Sequence, residues 1–319
     1  MKLCVQKAVI CVNHVTYFHS SVTFSWGNAN KFAGLRPVDN MRKLNPVIKV
    51  KGFATKQSIK LSEKTLVKTK AASNFITDLA DVLLFITRII RETFSPDFEF
   101  KEFFRQCFQI GYKSLPLVSI TGTIMGLVLT IQSRPVLVNF GAVTMLPGMV
   151  AISLIREMGP VITALICAGK IGSGMGAELG SMKVTEQIDA MEVSSTNPMR
   201  FLVVTRVLAA TLMIPLLILY ADALGILGSW AGANIKGDVS FILFFSQAFS
   251  HVHFMDFIPA FIKSFFFGAV IGVVGCYKGY NAGRGTESVG VAANSAVVLA
   301  SLLVIIVDMI AVQITDMLI

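Results

Sequence analysis

Two charge-free stretches of the chain are long enough to cross a lipid bilayer as helices. One lies between Lys113 and Arg134 and the other between Glu287 and Asp308, with 20 uncharged residues in each. At about 1.5 Å of rise per residue, a 20-residue helix spans the roughly 30 Å hydrocarbon core of a membrane. These intervals therefore predict two membrane helices, at about 110–133 and 288–314.

Three further apolar segments contain only an occasional polar or charged residue. They cover about residues 147–177, 201–233 and 257–277. Because a lipid-exposed backbone must satisfy its own hydrogen bonds, such segments cross a membrane as helices. The sequence therefore predicts an all-α polytopic membrane protein with five transmembrane helices.

Residues 74–105 alternate apolar and charged residues at helical spacing instead of forming one apolar run. The residues of the apolar face are Leu79, Val82, Leu83, Ile86, Ile89 and Ile90, and the charged residues of the other face are Asp78, Asp81, Arg88 and Arg91. This pattern predicts an N-terminal amphipathic helix lying in the membrane interface. A core helix of a soluble protein is the alternative, which the membrane context disfavours.

Composition separates residues 1–72 from residues 73–319. The body, residues 73–319, holds 15 basic and 17 acidic residues, whereas the arm holds 13 basic residues and only Asp39 and Glu63. A basic, acid-poor arm rich in Ser and Thr is typical of an organellar transit peptide. We predict cleavage between Gly52 and Ala72; a disordered basic tail on a bacterial protein is the alternative.

The basic residues near the span ends predict the orientation of the body. One side would hold Lys101, Arg105, Lys113, Lys183, Arg200, Arg206, Lys278 and Arg284, and the other only Arg134 and Lys236. Basic residues favour the cytoplasmic side. The 2–3 and 4–5 connections are therefore expected on the cytoplasmic or stromal side, with the end of the fifth span opposite.

Gly172, Gly176 and Gly180 recur every four residues, and Gly268 and Gly272 repeat this spacing in the fourth span. Glycines at this spacing share a helix face and let two backbones approach closely in lipid. The pattern predicts helix packing, either static or at an interface that moves.

Several charged residues fall within the predicted spans or directly at their ends: Arg156, Glu157, Lys170, Glu178, Asp222 and Lys263. Charges at membrane depth are costly and need a partner or a function. Arg156 and Glu157 are adjacent, so they point in different directions around a helix and should have separate partners. Lys170 and Glu178 are two turns apart on one face and do not touch directly. Either packing between helices or contact with a substrate fits these residues.

A short amphipathic segment, MKVTEQIDAMEV, follows the second span at residues 182–193. Thr185 is predicted to cap a helix whose first turn carries Glu186 and Asp189, since acids stabilise the positive end of the helix dipole. A short amphipathic helix on the cytoplasmic side suits docking into a groove of an ATPase, and a solvated loop is the alternative. The candidate coupling residues are Lys183, Thr185, Glu186, Gln187, Asp189 and Glu192.

The motifs do not predict a nucleotide, metal or nucleic-acid site. GSGMGA lacks the preceding β-strand of a dinucleotide site, and Ile171 stands where a P-loop needs Ser or Thr. The five cysteines form no CxxC pair, and His251 and His253 are interpreted as a polar loop. We therefore expect a chain without enzymatic activity or a bound cofactor, so that any ATP and magnesium would be held by a separate subunit.

Residues 156–193, REMGPVITALICAGKIGSGMGAELGSMKVTEQIDAMEV, resemble the most distinctive block of the MlaE-type permeases, the membrane subunits of ABC lipid transporters. QSRPVLVNFGA at 132–142 and GYNAGRGTESVGVAANSAVV at 279–298 are similar to secondary blocks of that family. The resemblance covers about residues 75–319. With its basic arm, the chain looks most like the plastid branch, the trigalactosyldiacylglycerol-type permeases.

The resemblance implies a homodimeric permease in which EQIDAME contacts a cytoplasmic ATPase and an MCE-domain substrate-binding protein lies on the opposite side. It also implies transport of phosphatidate or a related lipid at the chloroplast inner envelope. A bacterial inner-membrane permease that maintains outer-membrane lipid asymmetry is one alternative, and the composition of the arm also fits mitochondrial targeting. A secondary transporter would need ion-binding acids at broken helices, whereas most acids here lie near span ends. A membrane scaffold that only anchors lipid-binding partners is the remaining alternative.

Overall fold

A computed structural model describes residues 80–94, 98–235, 239–250 and 252–318. Within these ranges the regular structure is entirely helical. The predicted transit arm and its cleavage region lie outside the described residues, as does His251.

Eight helices follow one another along the described residues. They are α1 (80–93), α2 (Phe100–Asn139), α3 (Val143–Val184), α4 (Gln187–Val193), α5 (Met199–Asn234), α6 (Phe241–Ser250), α7 (Phe254–Tyr280) and α8 (Thr286–Leu318). Five of them, α2, α3, α5, α7 and α8, are long and apolar enough to cross a membrane. The predicted fold class, an all-α polytopic membrane protein with five spans, is confirmed.

Residues 74–79 and 95–97 of the predicted interfacial segment lie outside the described residues, and the rest of the segment is divided between two helices. Helix α1 ends before a turn at Phe94, and α2 begins at Phe100 and continues into the first span. Pro96 lies between them, and proline both lacks a backbone donor and disfavours helix in the residue before it. The first turns of α2 are amphipathic: Gln106 is buried, while one exposed face consists of Phe100, Phe104, Phe108 and Tyr112.

Helix α5 forms the centre of the bundle. It packs against α2, α3 and α7, and Ala209, Ala210, Ile214 and Ala221 on it are fully buried. Its closest approach is to α2, where a Cβ added to Gly126 would lie 1.8 Å from the Gly225 carbonyl oxygen. Backbones this close leave no room for a side chain, which is how small residues bring membrane helices together.

The glycines predicted to pack helices face neighbours within the same chain. A Cβ at Gly176 would lie 3.2 Å from Ala293 Cα on α8, whereas Gly172 and Gly180 have room for one. Gly268 and Gly272 lie against α5, with added Cβ atoms 2.8 Å and 3.1 Å from its backbone. Because α7 and α8 cover the Gly172–Gly180 face, that face is not available to join two copies of the chain.

The ends of the long helices define two sides of the bundle. Gly180, near the end of α3, lies beside Ala282 and Val289 where α7 turns into α8. We call this the near side; it also carries α4. Arg156 contacts Asp256 at the start of α7 and Asp316 near the end of α8, and this end is the far side.

Candidate coupling segment and charged sites

Thr185 and Glu186 form the turn between α3 and α4. The Thr185 hydroxyl donates to the Ser181 carbonyl at 2.9 Å, so it closes α3, and the prediction that Thr185 caps α4 is wrong. Glu186 precedes α4 with a left-handed backbone, φ 58° and ψ 18°. A left-handed residue directly after the helix cap is the usual way in which a helix ends. The chain therefore reverses at this pair instead of starting α4 with a capping side chain.

Helix α4 is anchored to the bundle on one side and exposed on the other. Ile188 is fully buried, and the Lys183 ammonium contacts the Asp189 carboxylate at 2.7 Å, which ties α4 to the end of α3. Glu186, Gln187, Glu192 and Val193 are exposed, and Val193 is 88% exposed. Of the predicted coupling residues, Thr185 closes α3, and Lys183 and Asp189 form an ion pair within the chain, which we call the internal pair. The remaining three form an exposed face: Glu186, Gln187 and Glu192.

A second contact holds the α4–α5 connection against α1. The Asn197 side chain donates to Glu92 at 3.1 Å and accepts a hydrogen bond from the Met199 backbone at 3.1 Å, at the start of α5. Arg200 also contacts Glu92, at 3.4 Å. Sequence reasoning missed Glu92 and Asn197, although Asn197 just before an apolar run is a recognisable helix-start signal.

Lys170 and Glu178 find partners on different helices. The Lys170 ammonium donates to the Lys113 carbonyl on α2. Glu178 accepts a hydrogen bond from Arg206 on α5 at 2.8 Å, and the Arg206 side chain is only 1% exposed. A buried guanidinium needs such a carboxylate, because an unpaired charge at this depth is strongly unfavourable.

Arg156 and Glu157 have separate partners, as predicted. Arg156 contacts Asp256 at 3.6 Å and Asp316 at 3.7 Å. Glu157 contacts Lys263 at 3.1 Å, and Lys263 also contacts Asp308 at 3.0 Å. We call these six residues the far-side network. It joins α3, α7 and α8 and contains two basic and four acidic side chains.

Asp222 is a buried acid on α5 whose side chain lies against Gly159 on α3. Its Oδ1 lies 1.6 Å from the position that a Cβ on Gly159 would take, and this oxygen has no hydrogen-bond partner in the described part of the chain. A cavity of about 10 Å³ beside Asp222 also contacts Ser264. A cavity of this size can hold a single water, and a water there would satisfy the carboxyl oxygen.

His253 has a structural place at the start of α7. Its backbone N–H donates to Asp256 at 3.1 Å, which fixes the first turn of the helix. Within the described residues, no group of three or more His, Cys, Asp or Glu side chains is arranged to hold a metal ion.

Proteins with similar sequences come from bacteria and from a plant. The chain is 39% identical over 202 residues to a probable ABC transporter permease protein of Rickettsia typhi, covering 63% of this chain and 78% of that protein. It is 36% identical over 208 residues to the intermembrane phospholipid transport system permease protein MlaE of Haemophilus influenzae, covering 65% of this chain and 79% of the relative.

A plant relative is similar over a smaller part of its length. The Arabidopsis thaliana protein TRIGALACTOSYLDIACYLGLYCEROL 1, chloroplastic, is 33% identical over 204 residues, which are 64% of this chain and 58% of that protein. Residues 103–314 match the family described as Permease MlaE. This match takes in α3, α4 and every residue of the far-side network except Asp316, and it covers more than half of the 319 residues, so the chain belongs to the MlaE permease family.

Proposed function

We propose that this chain is the membrane permease subunit of an ABC transporter that moves phospholipid, with phosphatidate or a related lipid as its substrate. A separate ATPase would bind ATP and magnesium, and an MCE-domain substrate-binding protein would lie on the far side. The Haemophilus relative is a permease protein of an intermembrane phospholipid transport system, which supports this proposal.

The observation that carries the proposal is the continuity of α3. This helix connects the far-side network at Glu157 with the anchored α4 beyond Val184. At about 1.5 Å per residue, the two points are roughly 40 Å apart. Two π-helical turns, Leu154–Met158 and Ala168–Gly172, interrupt it, and such turns often mark functional positions.

Force applied to α4 would therefore be transmitted along α3 to the contacts with α7 and α8. ATP binding in the partner would push on residues 182–193, the helices would close, and a lipid held between two copies would be expelled. The least buried spans are α8 and α2, with 17% and 28% of their most apolar windows buried. A second copy of the chain would contact these spans.

The coupling role is tested by reversing the exposed acids without touching the internal pair. We expect Glu186→Lys with Glu192→Lys to abolish copurification of an ATPase with the full chain, because the exposed face would become basic. Lys183 and Asp189 stay intact, so α4 keeps its anchor. Glu287→Lys, an exposed near-side acid on α8, is the control and should leave copurification unchanged. Intact copurification in the double variant would refute the coupling role.

Lipid-stimulated ATP hydrolysis separates this proposal from the other functions. The assembled complex should hydrolyse ATP faster in phosphatidate-containing vesicles and should move lipid only when ATP is present. Lipid movement by the chain without any ATPase would indicate a secondary transporter. A complex that hydrolyses no ATP and moves no lipid would indicate a scaffold.

We propose further that the protein resides in an organellar membrane, with the chloroplast inner envelope as the first compartment to test. The basic, acid-poor residues 1–72 and the similarity to the chloroplastic Arabidopsis protein support this. A fluorescent reporter carrying residues 1–72 should enter plastids. Import into mitochondria, or no import into either organelle, would contradict the plastid assignment.

A further inference from the structure

A cavity of about 590 Å³ opens on the near side between α2, α3 and the start of α8. Its wall combines two lysines and a serine, Lys113, Lys170 and Ser114, with the apolar side chains of Ile171, Met175 and Val289. We call this the near-side cavity. A site of this volume that is lined by both cationic and apolar residues suits an amphiphilic anion better than a small ion.

The charge of the near-side cavity is positive. Neither Lys113 nor Lys170 forms an ion pair with a described residue; Lys170 donates one of its three ammonium protons to the Lys113 carbonyl. Glu178 also reaches the wall, but its carboxylate is held by the buried Arg206 at 2.8 Å. Both lysines therefore line the cavity without a carboxylate partner among the described residues, and the Lys170 ammonium keeps donors to spare.

The buried hydroxyl of Ser114 is an independent indication that the near-side cavity binds a ligand. Its side chain is 2% exposed and lines the cavity, yet its hydroxyl has no hydrogen-bond partner within the described residues. Leaving a buried hydroxyl unpaired costs free energy that a ligand oxygen would recover. A phosphate offers such an oxygen and also pairs with ammonium groups through charge-assisted hydrogen bonds.

We propose that the near-side cavity binds the phosphate of an anionic phospholipid, with Lys113 and Lys170 on the phosphate, Ser114 hydrogen-bonded to it, and the first acyl carbons against Ile171, Met175 and Val289. The far-side network offers no equivalent site, since its acids outnumber its bases. The lipid's part in transport rests on the proposed function, but binding at this site needs no ATPase.

The test measures binding of short-chain phosphatidate to the purified full chain in detergent. Lys113→Gln with Lys170→Gln should weaken binding about tenfold or more, because two charge-assisted contacts are lost. Ser114→Ala should weaken it by a smaller factor. The control, Lys101→Gln with Lys278→Gln, removes the same charge elsewhere on the near side and should bind like the unsubstituted chain. Thermal unfolding of each variant shows whether the fold is kept.

Two further ligands identify what the cavity recognises. Short-chain diacylglycerol, which lacks phosphate, should bind weakly, and inorganic phosphate should compete poorly because it cannot use the apolar wall. Equal binding of diacylglycerol would overturn the phosphate site, and equal competition by inorganic phosphate would overturn a lipid site. If the cavity and control variants weaken phosphatidate binding equally, the effect comes from general surface charge and the proposal is overturned.

The same variants separate this inference from the proposed function. If no ATPase copurifies with the unsubstituted chain while phosphatidate binding still depends on Lys113 and Lys170, the transporter proposal fails and the site stands. If an ATPase copurifies and the two lysines do not affect phosphatidate binding, the site is refuted and the transporter proposal stands.

Discussion

Glu186 holds a backbone conformation that residues other than glycine disfavour. Its φ of 58° places Cβ close to the following carbonyl, which costs about 1–2 kcal/mol for an L-residue. The turn it makes is needed to fold α4 back so that Ile188 is buried and Asp189 meets Lys183. A charged side chain at this strained and exposed position is consistent with a role outside the fold.

Substituting Glu186 separates its backbone role from its charge. Glu186→Gly should slow amide hydrogen exchange across residues 182–193 or leave it unchanged, since glycine adopts this φ freely. Glu186→Val should speed it, because a β-branched residue is disfavoured at positive φ by about 1 kcal/mol or more. Both variants lose the same charge and are matched controls for each other. Equal rates of amide hydrogen exchange in the two variants would contradict a left-handed backbone at position 186.

At the scale of elements, the bundle depends on backbone contact between α2 and α5. Gly122 and Gly126 on α2 meet α5 so closely that an added Cβ would lie 2.8 Å or less from a carbonyl oxygen. An overlap with backbone cannot be relieved by turning a side chain. The two helices would have to separate along their length, so a local adjustment cannot accommodate an added side chain at this contact.

Gly126→Ala should therefore destabilise the protein by about 3 kcal/mol or more, since its Cβ would overlap the Gly225 carbonyl. Thermal unfolding in detergent measures the loss. Gly290→Ala is the control, because a Cβ there has no atom within 4 Å, and it should stabilise α8 by up to about 1 kcal/mol. Similar melting of the two variants would mean that α2 and α5 are farther apart than described.

On the far side, Lys263 connects two helices, because it contacts both Glu157 on α3 and Asp308 on α8. Its side chain is 5% exposed, whereas those of Glu157 and Asp308 are 43% and 17% exposed. Removing the cation leaves two acids close together at a partly buried position. Because Glu157 is partly exposed, we expect the loss of unfolding free energy on removal of Lys263 to lie at the lower end of the range for breaking a buried ion pair.

Lys263→Met should lower the free energy of unfolding by about 3 kcal/mol. Adding Asp308→Asn should recover part of that loss, because the remaining acid at Glu157 can be solvated. Lys101→Met, at an exposed near-side lysine, is the control and should change little. Denaturant unfolding of these variants and of Asp308→Asn alone gives the values. Additive losses from Lys263→Met and Asp308→Asn would contradict the ion pair between the two residues.

For the whole molecule, the five spans were predictable because charge-free length is a local property of the sequence. The separate partners of Arg156 and Glu157 followed from helix geometry alone. The identity of those partners could not be predicted from the sequence, since Asp256 and Lys263 are about 100 residues away and only the packing of α7 brings them near. The left-handed Glu186 also left no local sign, whereas the four-residue spacing of Gly122 and Gly126 was visible and was missed.

The order of the spans makes a prediction about the molecule as a whole. The α3–α5 connection follows the second span and Met317 lies at the end of the fifth, so an odd number of crossings separates them. Val193 is 88% exposed and Met317 is 85% exposed, so the described part of the chain covers neither position. The positively charged span ends predict that Val193 lies on the cytoplasmic or stromal side.

In a chain whose native cysteines are replaced by serine, a cysteine at position 193 should react with a membrane-impermeant maleimide only from the cytoplasmic or stromal side. A cysteine at position 317 should react only from the opposite side, and the cysteine-free chain should not react at all. Labelling of both positions from one side would mean an even number of crossings between them. Labelling of each from the side opposite to that expected would keep five spans but reverse the molecule, which would put α4 out of reach of a cytoplasmic or stromal ATPase.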